Sequence, residues 1–116
     1  MWGLIVAHSR MLTDAIMTHT NHAPRNRDRA ISWLGGFLIA VKQHMRKEKN
    51  FDYDELAGFL DKNEVNKLAS SSHPCLYATS EIRYELSQAF KITNDTPSGL
   101  GIAYSSVLRM MEKSIH

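Results

Sequence analysis

A single cysteine, Cys75, is all the chain carries, so no internal disulfide can close and a cross-linked scaffold is excluded. Nor is there a run of about 20 predominantly apolar residues, the length a membrane-spanning helix needs. The longest apolar stretch, Ala30 to Val41, is interrupted by Ser32, Gly35 and Gly36. Charge of one sign is scarce as well. The 14 Lys and Arg against 12 Asp and Glu leave a formal +2, far from the basic stripe of a dedicated nucleic-acid binder, and no nucleic-acid partner is expected. Alternating apolar and polar runs that would make strands are missing, as are internal repeats and low-complexity tracts. The first residues lack the charged, apolar, then small layout of a secretory signal, so the expected setting is intracellular and reducing. What is present is 116 residues, 43% of them hydrophobic, enough for one ordinary domain over 1–116 with its own core.

Those hydrophobic residues fall at helical spacing. In 29–48, Ala30, Leu34, Phe37, Leu38, Val41 and Met45 form one wide apolar stripe, with Lys42, Arg46, Lys47 and Lys49 toward the C-terminal end, where cations suit a helix. Asn26 and Asp28 offer acceptors for free amides at the helix start. The paired Gly35 and Gly36 cost about 1 kcal/mol each relative to Ala, and they open a place where another element can come close. Before this helix, Ile5, Leu12, Ala15, Ile16 and His19 share a face, widened by Trp2 and Val6, and the turn formers around Pro24 predict a helical hairpin. After it, Asp52 to Glu55 and Asp61 to Glu64 repeat the spacing at which a cap and a carboxylate satisfy each other's amides. That predicts two short helices. The expected fold is all-α, an antiparallel bundle of four longer helices near 1–22, 28–48, 75–92 and 99–115, with two short ones between 52 and 70 and no sheet.

Chemistry-bearing constellations are thin. The carboxylates Asp52, Asp54, Glu55, Asp61 and Glu64 are explained by capping, and the glycine-centred twelve-residue calcium loop is absent. His19 with His22, and His73 with Cys75, have metal-ligand types but supply only two ligands each, short of the four of a structural zinc site. Cys75 sits in no catalytic cysteine motif and reads as a small buried hydrophobe. No phosphate-binding glycine loop, HExxH or GxSxG occurs. No enzyme activity, cofactor or metal is expected.

Resemblance goes further than composition. Trp2-Gly3-Leu4-Ile5-Val6 followed by Ser9-Arg10 resembles the W-G-x-x-V-x-x-S-R stretch of bestrophin-like anion channels, just after the pore-lining helix. Arg29 to Lys42, with His44 and Arg46, is similar to that family's next helix. Asp54-Glu55-Leu56, Leu60, Glu64-Val65, Leu68 and the His73-Pro74 step follow in the order of its cytosolic segment. The resemblance covers about 1–92.

It implies a channel family of homopentamers with membrane-spanning helices and a helical cytosolic vestibule, passing chloride and other small anions. The hydrophobic pore neck and the spanning helices of that pattern have no counterpart in the 116 residues. The expectation is therefore a fragment of such a channel, its cytosolic vestibule portion, unable to form a pore alone. Membrane helices of the full-length protein and sister subunits would be its partners, and it would sit on the cytosolic side, or the stromal side in a plastid. Lys42 and Arg46 are the candidates for attracting anions, and Trp2, Ile5, Trp33 and Phe37 for surfaces left uncovered in the lone chain. The competing expectation is a soluble helical module that docks an exposed apolar face on an unrelated protein.

Overall fold

Pro24 starts the helix on which the rest of the molecule is laid. A proline is suited to a first helical turn, where its missing amide proton would have had no intrahelical acceptor and its fixed φ is already helical. In the computed structural model, which describes residues 2–46, 53–91, 108–110 and 112–113 (for Trp2, Tyr53, Phe90 and Lys91 the backbone alone), this helix, α2, spans Pro24–Met45. It begins four residues earlier than the expected 28. Asn26 and Asp28 therefore lie within the first turns and cap nothing; the N-cap position is Ala23, with no side-chain cap. Asn26 instead donates from Nδ2 to Glu85 Oε2 at 2.9 Å.

The predicted stripe of α2 is buried at Ala30, Leu34, Phe37 and Val41, half-buried at Leu38, and exposed at Met45. Trp33, Gly36, Ile39, Ala40 and Gln43 are buried as well, because helices pack on α2 from more than one side. Phe37 is wholly inaccessible, and Trp33 retains 3% exposure. Helix α1, Trp2–His19, buries Ile5, Leu12 and Ile16. It stops three residues short of the expected 22, and His19 faces solvent. Thr20 closes it: its amide and its hydroxyl both donate to Ile16 O, and Ala23 N–H then donates to Thr20 O at 3.0 Å, reversing the chain ahead of Pro24.

Two short helices follow, α3 at Tyr53–Leu56 and α4 at Lys62–Ser70. The Asp61 capping box is formed in full: Glu64 N–H donates to Asp61 Oδ1 at 2.9 Å and Asp61 N–H to Glu64 Oε1 at 3.0 Å. The matching cap expected at Asp52 lies outside the described residues. Pro74 opens α5, Pro74–Lys91, again at a first turn. Its contacts with the α2 end of the molecule run in opposite order along the two chains: His22 with Ala89, Asn26 with Glu85, Trp33 with Tyr77. The two helices are thus antiparallel. Trp33 and Tyr77 meet edge to face, with centroids 5.7 Å apart. Of the expected helix at 99–115, residues 108–110 and 112–113 are described and are helical; Leu108 is buried in the common core and Arg83 pairs with Glu112. The architecture is all-α, with no strand among the described residues.

Candidate functional site

The two cations singled out from the sequence, Lys42 and Arg46, lie one turn apart at the C-terminal end of α2, where the helix dipole favours positive charge. Arg46 is exposed and occupies the C-cap position, its amide donating to Lys42 O at 3.1 Å. Lys42 points to an opposite charge: its Nζ meets Glu55 Oε1 at 2.5 Å. Both members of that pair line an open groove of about 230 Å³ whose other walls are Gly35, Leu38, Ile39 and Phe59. Arg29 makes a second link of the same kind, to Glu64, so two ion pairs tie α2 to the chain that folds back along it.

The glycine pair explains how the groove is built. A methyl group at Gly35 would overlap the Phe59 ring, 2.7 Å from Cε1 and 2.8 Å from Cγ, and one at Gly36 would stand 3.0 Å from Leu60 Cδ1. The close approach expected at these glycines is therefore made by side chains of the turn at 57–60. Leu56 and Leu60 are buried under that turn, and Phe59 and Leu60 both donate backbone hydrogen bonds to Leu56 O at 2.9 Å. The packing sets α3 beside α2 and carries Glu55 to Lys42. In the sequence Glu55 reads as a capping carboxylate and as part of the family-like Asp54-Glu55-Leu56 stretch; nothing in the helical periodicity connects it with a lysine thirteen residues earlier.

The other residues singled out are dispersed. Gly3 is exposed, with open space where a side chain would project, and Arg10 is exposed too. Ser9 is buried at 4% exposure, and its hydroxyl, like Gln43 Nε2, finds no hydrogen-bond partner among the described residues. Ile5, Trp33 and Phe37 are core residues rather than surfaces left uncovered, because α1 and α5 both cover α2; the Trp2 side chain lies outside the described residues. The exposed large apolar side chains are instead Leu4, Met11, Met17, Met45, Phe59, Tyr84 and Met110. His22 Nε2 hydrogen-bonds Ala89 O at 2.9 Å near the end of α5, while His19 and His73 are exposed, so neither histidine pair converges on a ligand. Among the described residues no three His, Cys, Asp or Glu gather as a metal site. Burial pushes the Cys75 thiol up to about 11, which keeps it protonated and unreactive.

No helix among the described residues is long and apolar enough to cross a membrane. Against that geometry, one comparison is decisive: the family of bacterial and fungal bestrophin proteins matches residues 1–112. The chain belongs to the bestrophin family. The match extends past the region of about 1–92 where the sequence resemblance is visible, and takes in Leu108 and Glu112, the two residues that join the last helical segment to the core and to Arg83. Bestrophins are anion channels, so this bestrophin is a channel-related protein from a family that is not one of enzymes. No curated protein and no solved structure matches it.

Proposed function

We propose that this bestrophin forms part of the cytosolic vestibule wall of a chloride or small-anion channel, working with membrane helices of a full-length protein and with sister subunits in a homopentamer. The family match over residues 1–112 carries the reading. Its local support is the C-terminal end of α2, where Lys42 lines an open groove and Arg46 stands one turn further on, two cations whose excess over Glu55 biases the potential toward anions. A helical pore needs helices that cross the bilayer, and none of the described helices reaches the required length and apolarity, so the reading expects no conduction from the chain alone.

The test is a pair of liposome preparations loaded with chloride. One carries the purified 116-residue chain. The other carries a chimera in which residues 1–112 replace the matched region of a complete bacterial bestrophin. The expected outcome is no chloride efflux from the first and efflux from the second. A chimera that assembles and stays closed to chloride would contradict the vestibule reading.

A helical interaction module is the second reading, favoured by Leu4 and Met11, 54% and 60% exposed on α1. It would replace the first if the lone chain were a stable monomer that bound a soluble partner through those two residues while the chimera stayed silent.

A further inference from the structure

Lys42 and Glu55 are the two charged residues among those lining the groove, and they face each other across it. Their pairing is not a chance meeting of surface side chains. Glu55 sits on α3, which is held to α2 by Phe59 against Gly35, by Leu60 against Gly36 and by the buried Leu56. The side chains remain 30% and 37% exposed, so an ion entering the groove feels both charges.

We propose that Glu55 is a charge-selectivity determinant of this wall: it holds the Lys42 ammonium and cancels the field that would otherwise draw an anion into the groove. An adjacent pair of opposite unit charges acts on a distant ion as a dipole, whereas removal of either member shifts the net charge beside the groove by one unit, an influence that falls off more slowly. Anion preference at this position is then set by Glu55 as much as by Lys42. The inference rests on the vestibule reading for its meaning in conduction, but the electrostatic claim is measurable without a pore.

The measurement uses the full 116-residue chain with Leu38→Cys, a groove-lining position one turn before Lys42. Cys75 serves as the slow background, read in the chain without the added thiol. The ratio of labelling rates by a sulfonate-bearing and a quaternary-ammonium-bearing thiosulfonate reports the sign of the local potential. Glu55→Gln is expected to raise the anionic-to-cationic ratio by about threefold or more, from one unit charge acting across several ångströms of solvated groove. Lys42→Gln should lower it comparably, and the double variant should return near the parent. In 1 M salt, where screening acts within about 3 Å, these differences should collapse.

Should Glu55→Gln not fold, the swap of Lys42→Glu with Glu55→Lys keeps a neutral pair and is expected to keep the parent ratio. An unchanged ratio in Glu55→Gln, a double variant as far from the parent as either single, a swap far from the parent, or differences that survive 1 M salt would each overturn the proposal. A closed chimera accompanied by the expected ratios would count against the vestibule reading alone.

Discussion

Gly35 is a residue whose value depends on one neighbour. Alanine has the higher helix propensity by about 1 kcal/mol, so Gly35→Ala would ordinarily stabilise α2. Here the added methyl falls on the Phe59 ring, and displacing that ring loosens the turn that carries α3. Gly35→Ala is therefore expected to destabilise the native chain by about 1 kcal/mol, and to stabilise a Phe59→Ala chain by a similar amount. Urea denaturation of the four chains of this cycle checks the reversal of sign; equal effects in both backgrounds would refute the close approach.

Cys75 makes a pH prediction at the same scale. Its thiol is raised from 9.0 to about 11 by burial, so the folded state holds its proton more tightly than the unfolded chain. The stability this contributes is full below pH 9 and is lost as pH rises toward 11. Cys75→Ala should flatten that part of the stability curve, measured by thermal melts from pH 8 to 11. A curve of unchanged slope would show that the thiol is not buried in the folded chain.

At the scale of the element, α4 starts on a complete side-chain capping box. A nine-residue helix is too short to be stable by itself in water, so its cap and its packing decide whether it forms. Asp61→Ala removes half of the capping box and should cost about 1 kcal/mol. Glu64 does two tasks, accepting from Asp61 N–H through Oε1 and pairing with Arg29 through Oε2, so Glu64→Ala should cost more than Asp61→Ala. Amide hydrogen exchange in 62–70 reads both; equal protection in the two variants would mean that the tie to Arg29 contributes nothing. This box is visible in the sequence because capping is a local matter, settled within four residues. The start of α2 is harder to read for a related reason: Asn26 and Asp28 have cap-forming side chains, but Pro24 already satisfies the geometry of a first turn without one. The Lys42–Glu55 pair is hidden because it is brought together by a glycine contact on the opposite side of a turn, which no periodicity encodes.

For the molecule as a whole, α2 is the spine: α1 joins it through the Thr20–Ala23 turn, α3 and α4 are tied to it by two ion pairs, and α5 returns antiparallel along it. The all-α fold and the burial of Ala30, Leu34, Phe37 and Val41 are legible from spacing alone, because a wide apolar stripe on a helix has to be covered. The burial of Trp33, off that stripe, is not, since a single stripe does not say how many neighbours a helix will have. The family is legible only through resemblance, and the match over residues 1–112 bears it out, while the vestibule role and the anion-attracting role of Lys42 and Arg46 stand as proposals. The direct measurement is the chloride-to-sodium permeability ratio of the chimera in planar bilayers, with Lys42 and Arg46 both neutral (Lys42→Gln with Arg46→Gln) and both intact. A clear fall in the ratio, with single-channel openings retained, is the predicted result; an unchanged ratio in an open, assembled channel would contradict the claim that this helical wall favours anions.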